Sequence, residues 1–148
     1  MADPVVVIQA TLAPIFLVNG AAIFLNFTQA RLFRVIDRLR ALDKEMKEAP
    51  EEERPALARE RVRSIRRAVI LRNAILFGVL VIACTVVTTL LLLWSGTHET
   101  AEPGPAPIYA FAGALAAFGA ALALVTTDAF LSVAAARAGF RELVPHRS

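Results

Sequence analysis

The chain has 148 residues, 57% of them hydrophobic, with a formal net charge of +3. A soluble domain is usually nearer half apolar, and here the excess is gathered into three uncharged blocks, residues 5–30, 73–98 and 103–127. Each block reaches the roughly 20 residues that a bilayer-crossing helix needs. A soluble enzyme core is therefore excluded in favour of one small integral membrane domain.

The first span is expected over residues 5–30. Its leading stretch, MADPVVVIQA, has an acid where a cleavable signal would carry basic residues, so it reads as a retained span. The span is unusually polar, with Gln9, Thr11, Pro14, Asn19, Gly20, Asn26, Thr28 and Gln29. Pro14 predicts a kink or a helix start, and a start would leave residues 1–13 as a separate segment. Asn19 and Asn26 are seven apart and share a face, with Ile23 between them and Phe16 and Ala30 continuing the line. Polar groups are expensive in hydrocarbon and should meet protein or water. Two readings stay open. One is hydrogen bonding between helices, worth about 0.6–2 kcal/mol per contact. The other is a pore lined by copies of this span, with Gln9, Phe16, Asn19, Ile23 and Asn26 toward its axis.

No breaker separates this span from the arginine-rich stretch that follows. Leu32, Val35, Leu39, Leu42 and Met46 alternate steps of three and four, a seam for a partner helix. Asp43 stands four residues before Lys47, and Asp37 is within helical reach of Arg34 or Arg40. The span thus runs on for about 18 residues, on the order of 27 Å. APEEERP then makes a turn, with Pro50 and Pro55 ending one helix and opening the next. Ala58, Val62, Ile65 and Val69 form a second apolar stripe, flanked by Arg59, Arg61, Arg63, Arg66 and Arg67. Residues 31–72 are therefore expected to form an antiparallel helical hairpin. Its arginines suit topology setting and a solvated face, or else anionic-lipid binding or an anion vestibule. Interspersed acids and the lack of an aromatic platform argue against nucleic acid.

The second span is expected over residues 73–94, with Thr85, Thr88 and Thr89 bonding back to their own helix. Cys84 is the only cysteine and reads as a packing residue. An outer loop, residues 95–107, carries His98, Glu99 and Glu102. Neither His98 nor His146 has partners at metal-ligand spacing, so no metal and no cofactor are expected. The third span, residues 108–128, is rich in small residues, and Gly113, Ala117 and Ala121 have the spacing that permits close helix approach. Asp128 should sit near the inner boundary beside Arg31, Arg34 and Arg72. Asp128 with Arg72 is read as an ion pair or a gate. The tail, residues 137–148, is cytoplasmic in this reading.

All sixteen Lys and Arg fall within residues 31–72 or 137–147, so the hairpin and the C-terminus are expected inside and the N-terminus outside. Trp94 and Tyr109 then lie at the outer headgroup level. No nucleophile–base set and no phosphate loop is present, so an enzyme is not expected.

The run ATLAPIFLVNGAAIFLNFTQARLFRVIDRLRAL, residues 10–42, resembles the opening of a family of small bacterial three-span membrane proteins catalogued as a domain of unknown function. The matching elements are TLAP, the polar-apolar first span, an Asn shortly before an Arg at the membrane exit, and Arg34-Val35-Ile36-Asp37-Arg38-Leu39-Arg40. The basic arm returning to span two and Asp128 followed by Ala-Phe-Leu-Ser are also similar. The resemblance implies a bacterial inner-membrane protein and no particular activity.

The expected architecture is all-α, with three transmembrane helices, the first two extended into a cytoplasmic hairpin. The leading functional expectation is a homo-oligomeric, ion-conducting pore lined by span one, with Arg31, Arg34 and Arg38 at its inner mouth. The alternative is a non-conducting scaffold or regulatory subunit that binds a partner through the hairpin seam, residues 32–46.

Overall fold

The structure, a computed structural model, describes the backbone of residues 4–97 and 104–143 and the side chains of residues 12–95 and 104–133. Three helices account for it: α1 (Pro4–Glu48), α2 (Arg54–Thr97) and α3 (Ala106–Leu143). Each contains a segment long and apolar enough to cross a membrane. The 45 residues of α1 rise about 68 Å, more than twice the hydrocarbon thickness. The helix begins at Pro4 and runs through Pro14, so residues 4–13 belong to span one rather than to a separate segment. Proline at the first helical position loses no helical hydrogen bond. Pro14 sits buried, and a transmembrane helix tolerates one proline where neighbouring groups cover it.

The turn between α1 and α2 is short and tightly bonded. The Ala49 amide donates to the Glu45 carbonyl at 2.9 Å, and the Glu53 amide to that of Pro50 at 3.1 Å. Arg54 Nε donates to the Ala49 carbonyl at 3.3 Å, satisfying an acceptor just past the end of α1. The chain therefore doubles back at once, and α1 and α2 pack antiparallel along their lengths. The central helix is α2, with α1 on one side and α3 on the other; α1 and α3 touch only locally.

The buried positions explain how the three fit. On α1 they are Pro14, Ala21, Thr28, Val35 and Leu42, seven residues apart at every step. On α2 there are two such lines, Ser64–Leu71–Gly78–Thr85 and Ala74–Val81–Thr88. On α3 the line is Pro107, Ala114, Ala121 and Asp128, with Ala117 beside it. A strict seven-residue repeat keeps one seam facing its partner and is the pattern of left-handed helix packing. Most of these residues are small, so the backbones approach closely. Ala21, Val81 and Ala117 meet in the centre, covered by Leu17, Ile82 and Phe118. The Phe24 and Phe118 rings meet edge to face at 5.6 Å, joining α1 to α3. The buried hydroxyls stay within their own helices: Thr28 donates to the Phe24 carbonyl at 2.8 Å, Thr85 to Val81 at 2.7 Å and Thr88 to Cys84 at 2.8 Å.

Three expectations need correcting. The stripe Ala58–Val62–Ile65–Val69 does not face α1; Val62, Ile65 and Val69 are exposed, and α2 instead buries Ser64 and Leu71. On α3 the buried small line runs through Ala114, whereas Gly113 is exposed. Asp43 binds Arg61 of α2 at 2.8 Å rather than Lys47, because the antiparallel partner presents a guanidinium across the seam. The α1 seam from residue 32 to residue 46 is taken up by this chain's own α2, with Val35 and Leu42 buried.

Among the described glycines only Gly78 is closely faced by another helix: a Cβ there would lie 2.6 Å from a methyl of Leu25. Gly78→Ile is expected to push α1 from α2 and lower stability by about 1–3 kcal/mol. Gly119→Ala, where nothing lies within 4 Å, should change it by less than about 0.5 kcal/mol. Thermal unfolding of both variants in detergent measures the difference.

Candidate functional site

The seven-residue lines carry apolar and hydroxyl side chains through the spans and then change character at one level. The line that begins Leu17, Phe24 on α1 continues to Arg31, and the line Val81, Ala74 on α2 continues to Arg67. On α3 the line ends at Asp128. The three meet. Arg31 Nη2 donates to Asp128 Oδ2 at 2.7 Å, and Arg67 Nε donates to Oδ1 at 2.9 Å. Asp128 is fully buried, while the side chains of Arg31 and Arg67 are 20% and 31% exposed. Both carboxylate oxygens are thus occupied by charged donors, one from each of the other helices. A carboxylate buried this deeply stays ionised at tolerable cost only with such partners. Arg31 also lies over the Phe27 ring, 5.6 Å from its centroid.

Next to this triad a cleft of about 400 Å³ opens between the helices, lined by Phe27, Arg31, Arg34, Val35, Arg38, Ser64, Arg67 and Ser132. Arg38 is held by Glu60 at 2.9 Å and Glu45 at 2.8 Å. Arg34 has no carboxylate partner among the described residues; its Nε donates only to the Ala30 carbonyl of its own helix, at 3.3 Å. The cleft is therefore lined by four guanidiniums, those of Arg31, Arg34, Arg38 and Arg67, which three carboxylates, those of Asp128, Glu45 and Glu60, bind.

The expected pore-lining residues lie elsewhere. Phe16 and Ile23 are 70% and 67% exposed, and Asn19, Asn26 and Ala30 are exposed with them. They form one face of α1, turned away from Ala21 and Thr28 and hence from α2. Gln9 is in α1, but its side chain lies outside the described residues, as do His98, Glu99, Glu102 and His146. Of the expected ring, Arg31 and Arg38 are not on the asparagine face, whereas Arg34 is exposed one turn beyond Ala30, whose carbonyl it meets. Arg31 is bound to Asp128 and Arg38 to Glu60, because about 100° per residue carries both toward α2 and α3. The asparagine face continues instead through Phe33 to Asp37, which Arg40 meets at 3.3 Å.

Arg72 is likewise corrected: it is exposed, and Arg67 is the α2 partner of Asp128. Five residues turn the helix by about 140°, so the two arginines cannot share a face. An arginine at the end of an apolar run can send its head to the interface along its stem, which lets Arg72 remain outside the bundle. The signal for Arg67 was its place three after Ser64 and four before Leu71, a core position of the α2 repeat.

A family model described as a protein of unknown function, DUF2721, matches residues 11–138. The chain belongs to this family. No curated protein and no solved structure matches it. The match spans all three helices and includes Arg31, Arg67 and Asp128.

Asp128→Asn removes the charge that faces two guanidiniums. It is expected to lower stability by about 3 kcal/mol, the low end for a broken buried pair because both arginines keep some hydration. Arg72→Gln should shift it by less than about 0.5 kcal/mol. Unfolding midpoints in the same detergent compare the two.

Proposed function

We propose that this DUF2721 protein is a homo-oligomeric pore of the bacterial inner membrane, lined by the asparagine-bearing face of α1. The observation that carries the reading is that Asn19 and Asn26 are exposed on the surface of the single chain, within the uncharged block of α1. Two amides facing lipid are costly, and neither can be satisfied by α2 or α3, which lie on the other side of the helix. Copies of α1 around an axis would give both amides water and each other. The rest of the fold is compatible with this, since only 22%, 22% and 17% of the three apolar segments is buried within one chain. The core of one chain is filled by Ala21, Val81 and Ala117 and encloses no lumen, so conduction requires assembly.

In this reading the hairpin and the C-terminus are cytoplasmic, in keeping with the confinement of Lys and Arg to residues 31–72 and 137–147. Trp94 and Tyr109 are exposed at the opposite end, where amphipathic rings favour the headgroup level. With Arg31 bound to Asp128 and Arg38 to Glu60 and Glu45, the face that would continue the pore lining carries Asp37 and Arg40 at its inner end. Such a mixed pair gives no strong preference for anions.

A second reading is favoured by one observation. Val62, Ile65 and Val69 form an exposed apolar line on α2 beyond the span, a surface on which a regulatory subunit or scaffold could receive a partner. The two readings separate in liposomes. For the pore, purified protein should pass ions, and an Asn19→Leu, Asn26→Leu double variant of equal oligomeric mass should alter that flux. With Cys84 replaced, Asn19→Cys and Asn26→Cys should react with a water-soluble thiol reagent. Absent flux together with protected thiols at both positions would reject the pore.

A further inference from the structure

We infer that the arginine-lined cleft beside Asp128 is a binding site for the phosphate headgroup of an anionic phospholipid. The charge count comes first. Four guanidiniums, those of Arg31, Arg34, Arg38 and Arg67, line the cleft and three carboxylates, those of Asp128, Glu45 and Glu60, bind them, so one positive charge remains uncompensated in a partly enclosed space. Arg34 is the free one, a side chain without a carboxylate partner among the described residues that lines the same cleft. The hydroxyls of Ser64 and Ser132 also line it and add neutral donors suited to phosphate oxygens. The volume, about 400 Å³, is in the range of small-molecule sites.

A phosphate could come from the cytosol or from a lipid, and the position favours the lipid. Arg31 is the first charged residue after the uncharged block of span one, so the cleft opens at the membrane boundary. One turn into the apolar segment, Phe27 forms part of its wall and is half exposed. An amphiphile can place its phosphate among the guanidiniums and its glycerol and acyl part along Phe27; a free phosphate uses only the first. Basic pockets between transmembrane helices on the cytoplasmic side are suited to anionic headgroups. The proposal does not rest on the pore reading, since the cleft lies within one chain and off the asparagine face.

The test titrates phosphatidylglycerol into the delipidated full-length protein in a non-ionic detergent, with bound lipid counted by native mass spectrometry. Retention of phosphatidylglycerol over phosphatidylcholine is expected. Arg34→Gln should weaken it about fivefold, the effect of one basic residue near an anionic surface. Arg34→Lys should restore much of it, because an ammonium also binds phosphate as a point charge. Arg34 hydrogen-bonds only its own helix, so the lipid-free variants should unfold at the wild-type temperature, and Ser132→Ala gives a second, uncharged probe of the cleft. Equal retention by Arg34→Gln, or equal retention of phosphatidylcholine, would overturn the proposal. Inorganic phosphate that displaces the lipid at equal concentration would overturn its lipid half and make this a site for soluble phosphate.

Discussion

A carboxylate placed in a helix-packing seam has to be met by cations, and here the cations come from the two other helices. Asp128 accepts from Arg31 of α1 and Arg67 of α2, and all three side chains occupy core positions of their seven-residue repeats. Away from this level α1 and α3 barely touch, apart from the Phe24–Phe118 contact. The ionic layer therefore fixes where α3 sits along the α1–α2 pair. Sliding α3 by one heptad would bring Ala121 opposite the arginines and leave Asp128 beyond them. A buried charge set contributes modestly to net stability, since desolvation offsets most of the attraction, but it discriminates strongly between registers. That specificity matters in a core made mainly of alanine, where apolar side chains alone distinguish alternative registers poorly.

The same layer marks where the uncharged block of α1 ends. Above it the seams hold Ala, Val, Gly and hydroxyls bonded to their own helix; beyond it the α1–α2 hairpin is tied by exposed ion pairs such as Arg38–Glu60 and Arg61–Asp43. Exposed pairs of this kind contribute only about 0.2–1 kcal/mol each. The hairpin is thus held chiefly by Val35, Leu42 and their neighbours against α2, and the charges set its solubility and pairing. Inside the bilayer no hydrophobic force separates helix from lipid, so small residues and polar contacts decide which faces associate. This is why the exposed asparagine face of α1 carries more functional weight than the many exposed leucines and valines around it.

Much of the architecture was legible in the sequence because charge is absent from three blocks and dense outside them. The hairpin seam over residues 32–46 was legible because polar neighbours outline its three-four spacing. Within the spans the same repeat was hidden: on α2 nearly every residue from Asn73 to Trp94 is apolar or a threonine, and periodicity needs contrast. The Val62 stripe is a related case, since in a short amphipathic stretch the apolar line need not be the one that the partner helix buries. The ionic site was half legible. Arg31 and Asp128 were placed at one depth by counting residues from the span ends, but counting fixes height and not azimuth. Extending the seam residues in sevens, from Ala74 to Arg67 and from Phe24 to Arg31, supplies the azimuth and selects Arg67 over Arg72.

The two faces of α1 carry opposite electrostatic burdens, and this constrains any functional account. Toward α2 and α3 the helix contributes Arg31, Arg34 and Arg38 to a cleft whose balance is positive. On the other face, Asn19 and Asn26 give way to Phe33 and then to an Asp37–Arg40 pair that is locally neutral. A pore built on the asparagine face would therefore take at most Arg34 from residues 31–38 as an inner basic group, and positive charge counted along the sequence is a poor guide to its selectivity. In such an assembly the cationic excess of the cleft would lie off the pore axis, on the side of α1 that meets α2 and α3. Because Arg31 belongs to the helix that bears both faces, a headgroup drawn into the cleft competes with Asp128 for the same guanidinium. Occupancy of the cleft is thereby coupled to an ionic contact that fixes α3 against α1.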